Sequence, residues 1–113
     1  DYAPGDADTH VGTRLTVRMP VLDRYRNPMG HVQGGIVAAM VDNAVGPLSY
    51  LVAPPSATTQ MAVTYLAPLG PDLASVDVTA TLAHRAGRTL VLDAEVRAPG
   101  GRLLAAARAT HAI

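Results

Sequence analysis

Two features of this sequence could act together in one reaction: the carboxylate of Asp42 and the turn Gln33-Gly34-Gly35 that precedes it. Asp42 falls within a run from Gly34 to Val45 that is apolar on every side except at Asp42 and Asn43. An ionised carboxylate buried in such a run costs several kcal/mol unless it is paired, hydrated or facing a cavity. Either Asp42 bonds a neighbouring group for structure, or it lines a pocket as a general base or nucleophile. Gly34 and Gly35 stand where a loop becomes this run. The first N–H groups of a helix have no intrahelical partner, and at the positive helix end they suit the negative charge that develops on a carbonyl oxygen. Lacking Cβ, both glycines also let a substrate approach the backbone closely. A plain turn would use the same pair, so the spacing to Asp42 carries the added weight.

Along a helix that spacing is about 12 Å at 1.5 Å per residue. One helix cannot offer both groups to one carbonyl. If they act on the same substrate group, Asp42 comes from one subunit and the Gly34 amide from another, with two helices antiparallel across a two-fold axis. The chemistry therefore implies a dimer with two equivalent sites.

The elements that must position these groups are visible in the hydrophobic periods. Thr13 to Met19 alternates, with Leu15, Val17 and Met19 on one face, and Pro20 ends the run. Leu22 to Gly30 has the charges, Asn27-Pro28 and Gly of a loop. Gly34 to Val45 reads as one buried helix, which Gly46-Pro47 should kink or end, because Pro47 has no N–H for the Asn43 carbonyl. Beyond Ala53-Pro54-Pro55 the signal is strand. Met61, Val63 and Tyr65 alternate with polar or small neighbours, as do Ala74 to Leu82 and Leu90 to Val96. The turns Arg85-Ala86-Gly87-Arg88 and Ala98-Pro99-Gly100-Gly101 are hairpin-like, so the last three strands form an antiparallel meander. In Leu103 to Ala109 the alanines leave the two faces undistinguished. The inventory is an α+β domain over residues 13–113, preceded by an unpatterned arm over residues 1–12: strand, buried helix, then four strands, about five in all. A helix apolar all round needs cover from a curved sheet, a second subunit, or both.

Composition narrows the partners. Nine Arg and no Lys balance nine acidic residues, so no net charge draws in nucleic acid or an anionic membrane. The absence of cysteine removes disulfides, thiolate metal sites and a cysteine nucleophile. The longest uninterrupted apolar stretch, Ile36 to Val41, is far shorter than the roughly 20 residues of a membrane span. A cytoplasmic protein acting on a small molecule or another protein is expected, with no metal and no cofactor; the first residue is not Met, which leaves room for sequence upstream.

The run Asn27-Pro28-Met29-Gly30-His31-Val32-Gln33-Gly34-Gly35, followed by Asp42-Asn43 and Gly46, resembles the hotdog-fold thioesterases of the PaaI-like and 4-hydroxybenzoyl-CoA thioesterase superfamily. Thr58-Thr59-Gln60-Met61-Ala62-Val63-Thr64-Tyr65-Leu66 is similar to that family's strand after the helix. The resemblance runs from Thr13 to Ile113 and implies a central helix wrapped by a curved antiparallel sheet. It implies an acyl-CoA substrate, aryl or short to medium aliphatic; the homodimer expected from the helix geometry leaves open whether dimers pair further into a tetramer. It also implies roles: Asp42 attacks the thioester or activates water, the Gly34 amide polarises the carbonyl, and Asn27 helps hold the thioester. Thr58 or Thr59 would position the attacking water. Many members have His where this chain has Gln33, and Gln donates a hydrogen bond but does not titrate. Its part is orientation.

His31 is expected to face solvent or stabilise its loop, since shifting the register to use it would lose the spacing from Gly-Gly to Asp42. His10, His84 and His111 show no metal-ligand spacing. Arg85 and Arg88 flank Gly87, a cluster suited to phosphate, and by resemblance to the nucleotide end of CoA; an ordinary charged hairpin would look the same. Two other classes compete: a non-catalytic acyl-CoA or acyl-carrier binding module, and a hydratase, whose usual His five residues after the Asp is Pro47 here.

Overall fold

The computed structural model describes residues 1–113. Its elements are β1 (Tyr2–Ala3), β2 (Arg14–Pro20), a 3-10 turn (Asp23–Tyr25), α1 (Gly34–Val52), β3 (Ala57–Tyr65), β4 (Ser75–Ala86), β5 (Thr89–Arg97) and β6 (Leu103–Ala112). One antiparallel sheet runs in the order β1-β2-β4-β5-β6-β3, with α1 packed chiefly across β4 and β5. The sixth strand is the addition to the sequence reading. Tyr2 and Ala3, inside the unpatterned arm, pair with Leu15 and Arg14.

The period-2 pattern decides which face of the meander is buried. Val76, Val78, Ala80 and Leu82 of β4 and Leu90, Leu92, Ala94 and Val96 of β5 lie under the helix, and Val78 pairs directly with Val96. In β6 the pairing of Leu92 with Ala109 and of Leu90 with His111 puts Ala109 and His111 on that same face. Polar cross-strand pairs occupy the other side. Arg18 meets Asp77 at 2.9 and 3.2 Å, and Arg108 meets Asp93 at 2.6 and 2.9 Å.

The helix departs from expectation in two ways. It does not stop at Gly46-Pro47 but continues to Val52. Leu48, Ser49 and Val52 are buried beyond the proline, so packing on the sheet outweighs one missing helical hydrogen bond. Its buried side chains, from Val37 and Met40 through Val52, also form only one face. Gly35, Ala39, Asp42, Asn43, Pro47 and Tyr50 recur at helical spacing on the other face and are exposed. By length and composition alone this 19-residue helix is apolar enough to cross a membrane, a longer stretch than the sequence reading marked out. Here its buried half is the lid of the sheet's core.

Candidate active site

The N-terminus of α1 is built by three interlocking segments. The loop before it folds on Asn27, whose Oδ1 accepts from the Met29 and His31 N–H groups at 3.0 and 3.2 Å. The Asn27 N–H donates to the His31 carbonyl at 2.7 Å, and Gly30 takes φ +83, a left-handed conformation that glycine adopts without strain. Arg26 then ties this loop to the next: its guanidinium donates to the carbonyls of Gly30, Gly70 and Leu73 at 2.7–2.9 Å. Its side chain is 12% exposed, so these bonds are sheltered from water. The third segment is the end of β3, from which the Tyr65 hydroxyl donates to the Gly34 carbonyl at 2.7 Å.

These segments enclose a groove of about 400 Å³ lined by Asn27, His31, Gly34, Tyr65 and the apolar Val32, Val37 and Leu69 among others. The Gly34 and Gly35 N–H groups have no acceptor within the chain. The Asn27 side-chain amide likewise keeps its N–H donors free, because only its oxygen is used by the turn. Two kinds of donor thus meet in one groove, as binding a carbonyl oxygen requires. A Cβ on Gly34 would meet the Tyr65 hydroxyl at 3.2 Å, whereas one on Gly35 would meet nothing within 4 Å. Gln33 precedes the helix with φ −61 and ψ 140, makes no side-chain cap and is exposed at the rim. His31 is half-buried in this groove beside Asn27 rather than turned to solvent, although its backbone does stabilise the loop as expected.

Asp42 is not in this groove. It lies on the open face of α1, exposed in the single chain, and the expectation of a buried carboxylate is corrected. The cause is that the sheet covers half of the helix and leaves the half carrying Asp42 bare. Across from it, the sheet end holds a polar group that the sequence reading did not assemble. His111 of β6 is 2% exposed; its Nδ1 lies 3.1 Å from Ser56 Oγ and its Nε2 lies 3.1 Å from Thr58 Oγ1. Burial pushes the imidazole below its usual pKa, while the charge of Asp42 pulls it back up. Ser56, Thr58 and His111 therefore form one hydrogen-bonded cluster, within reach of the Asp42 charge.

The remaining candidates divide. Thr59 leaves the group, because its hydroxyl bonds the Thr110 hydroxyl and carbonyl at 2.8 and 3.1 Å on the opposite side of the sheet. Arg85 and Arg88 are exposed at the β4–β5 turn, where Gly87 takes φ +59. Arg85 donates to the Gly87 carbonyl at 3.2 Å, and Arg88 donates to the Ile113 carbonyl at 2.8 and 3.0 Å. Since Thr89 pairs with Ala112 and Leu90 with His111, this turn closes the same end of the sheet as His111. Nothing in the sequence marked His111, because leucine and alanine occupy both faces of the strand before it; its pairing with Leu90 places it on the buried side.

A second groove, of about 340 Å³, runs between β2 and the helix and is lined by Val17, Met19, Tyr25, Ile36, Met40 and Asn43 among others. Its lining is largely apolar, with one amide beside the open helix face.

Comparison with known proteins agrees with this architecture. The family model described as Thioesterase superfamily matches residues 29–105. No curated protein matches the chain. Among solved structures, BH2602 of Bacillus halodurans, determined with CoA, is 24% identical with a TM-score of 0.79, over 86% of this chain and 65% of that one. The smu.793 protein of Streptococcus mutans, bound to acetyl CoA, is 21% identical with a TM-score of 0.82, over 99% of this chain and 87% of that one. The PaaI protein of the E. coli phenylacetic acid degradation operon is 20% identical with a TM-score of 0.80, over 88% of this chain and 71% of that one. The fold is the hotdog fold: one helix on a six-stranded antiparallel sheet.

Proposed function

The chain belongs to the thioesterase superfamily, and we propose that it hydrolyses an acyl-CoA thioester to the carboxylic acid and free CoA in a site shared across a homodimer. The observation that carries this reading is the division of the polar groups into two half-sites on one helix. Free N–H donors of Gly34 and Asn27 gather at its N-terminus, and Asp42 with Thr58 stands about 12 Å further on. Each half lacks what the other has.

Two features support pairing of chains. The open face of α1 carries Tyr50 and Leu51, 65% and 54% exposed, one turn beyond Pro47 and further along the face from Asp42. Strand β3 is a sheet edge with its outer backbone groups unpaired. Antiparallel pairing across both would cover the apolar helix face and bring each Asp42 to the other chain's Gly34.

In this arrangement the thioester carbonyl accepts from Gly34 N–H and Asn27 Nδ2, with Gln33 orienting at the rim. Water adds to the carbonyl carbon as the facing Asp42 takes its proton, giving a tetrahedral oxyanion. Collapse breaks the C–S bond and releases the acid and the thiolate of CoA, which takes up a proton. A direct attack by Asp42, through an acyl anhydride that water then opens, uses the same atoms. Arg85 and Arg88, at the sheet end of the Asp42 half-site, are suited to the phosphates of CoA. The apolar groove along β2 and α1 is suited to the acyl chain. That BH2602 was determined with CoA and smu.793 with acetyl CoA supports the choice of thiol.

The test is thiol release from a panel of aryl and aliphatic acyl-CoAs by the wild type and Asp42→Asn. Release by the wild type and loss of at least about a hundredfold in the variant is expected. Binding of acyl-CoA without release by either protein would instead identify a binding module.

A further inference from the structure

His111 is a buried titratable side chain that the reaction just described does not use. It is 2% exposed, on the helix-facing side of β6, among Leu90, Leu92 and Ala109. A polar ring at such a place must have its nitrogens satisfied. They are, by two hydroxyls from one short segment: Ser56 just before β3 at Nδ1 and Thr58 within β3 at Nε2, each at 3.1 Å. The one charged group whose field reaches the ring is Asp42 of the helix. The imidazole therefore stands directly behind Thr58, its cross-strand partner, with Asp42 near enough for its charge to act on the ring.

We propose that His111 is a positioning residue of the thioester site: its Nε2 accepts the Thr58 hydroxyl proton and so turns the Thr58 oxygen into an acceptor for the water that Asp42 deprotonates. This rests on the thioesterase reading above. The chemistry follows from counting protons. A water that attacks carbon through a lone pair must place both hydrogens elsewhere, one on Asp42 and one on a second acceptor. A threonine hydroxyl has one proton and two lone pairs. With its proton held by His111 Nε2, Thr58 Oγ1 presents only lone pairs toward the site. The Nδ1–H then donates to Ser56 Oγ, which completes a neutral imidazole. In the opposite tautomer Nε2–H would donate to Thr58, and the Thr58 proton would point at Asp42 and compete with the water for that carboxylate. A protonated ring would have the same effect. Burial, which opposes protonation, supports the neutral form.

The role thus depends on a bare nitrogen at Nε2, not on bulk. His111→Gln keeps an acceptor near the Nε2 position and His111→Leu keeps only volume. Thiol release from the acyl-CoA panel is measured for the wild type, both variants and Thr58→Val, well below each melting temperature. For His111→Leu and Thr58→Val, kcat is expected to fall about tenfold to a hundredfold with KM within about threefold. His111→Gln is expected to recover much of the loss, and His111→Leu combined with Thr58→Val to fall no further than either alone. In the wild type, two-bond ¹⁵N–¹H correlation, assigned by the peaks lost in His111→Gln, is expected to show the proton on Nδ1. A proton on Nε2, or a kcat for His111→Leu equal to wild type, overturns the role while leaving hydrolysis intact. A wild type that releases no thiol overturns the thioesterase reading and this role with it.

Discussion

The Tyr65 hydroxyl donates to the Gly34 carbonyl at 2.7 Å, so the last residue of β3 holds the first residue of the helix. The bond engages the carbonyl of Gly34, whose N–H has no acceptor within the chain, and Gly34 lines the same groove as Asn27. An edge strand and the start of the helix are thereby fixed to each other. Any contact that moves β3, such as pairing with a second chain, is transmitted to Gly34.

The N–H itself can be removed without breaking the helix. Gly34 is the first helical residue, where proline is tolerated, and Gln33 at φ −61 and ψ 140 already has the extended form required before proline. A Cβ at this position meets the Tyr65 hydroxyl and ring edge at 3.2–3.6 Å, so Tyr65 must give by a few tenths of an ångström. Gly34→Pro is expected to lower kcat by about 10²–10³-fold with circular dichroism and melting temperature little changed. A wild-type rate in a folded Gly34→Pro protein would take this N–H out of the chemistry.

If the two half-sites belong to different subunits, defects in them should complement. Mixed dimers of Gly34→Pro and Asp42→Asn chains are expected to regain one working site of two, about half the wild-type activity per hybrid dimer. Each homodimer stays inactive. Separately tagged chains, refolded together and purified through both tags, provide the measurement; hybrids as inactive as their parents would place both groups in one subunit's site.

Pro47 shows where local sequence signals yield to packing. It removes the N–H that would bond the Asn43 carbonyl, yet Leu48 and Val52 beyond it are fully or nearly buried and the helix persists. Ser49 Oγ donates to the Gly46 carbonyl at 2.6 Å in the same turn. Since Pro47 is exposed, Pro47→Ala should restore the helical bond without filling any space. A gain of about 1–3 kcal/mol is expected, read from the urea midpoint at an unchanged m-value; a loss would show that the open face depends on the proline's shape.

The period-2 strands were legible because Val76, Val78, Ala80 and Leu82 alternate cleanly with polar residues, and a single buried face enforces that alternation. The helix was legible as a helix, but its faces were not. A run apolar on all sides carries no mark of which half the sheet covers, so Asp42 was read as buried when it lies open. Asn27 and Gly34 were legible as partners through their motif, and the groove brings them together. Thr58 and Thr59 were not separable by composition, since adjacent strand residues differ only in which side they face. His111 stayed hidden because alanine marks neither face of β6; the register with Leu90 and Leu92 supplies that information, and it is a long-range property.

His111 also gives stability a pH dependence. Its folded pKa lies below the ordinary 6.5 because burial disfavours the charged ring, with the Asp42 charge acting in opposition. As pH falls through that value the unfolded chain takes up a proton that the folded chain resists, so stability is present above it and lost below. Asp77 and Asp93, whose carboxyls are lowered by hydrogen bonds from Arg18 and Arg108, lose their contribution only below the ordinary 3.8. Urea unfolding at about pH 7.5 and about pH 5.5 separates the two windows. The wild-type midpoint is expected to fall between them by more than that of His111→Gln; equal changes would assign the slope to other groups.

The last choice is between water and Asp42 as the group that attacks. In the proposed dimer both routes use an exposed carboxylate facing donors on a second chain, and both end in the same acid. They differ in where solvent oxygen goes. In a single turnover with enzyme in excess in ¹⁸O-water, attack by water places label only in the product acid. Attack by Asp42 forms an anhydride, and water opening it at the carboxylate carbon leaves one labelled oxygen on Asp42 while the product retains an enzyme oxygen. Because the proposed role of Thr58 and His111 is to hold a water for Asp42, label confined to the acid is the expected result. Mass spectrometry of the peptide containing Asp42 after one turnover checks it, and a two-dalton increase in that peptide would make the aspartate the nucleophile.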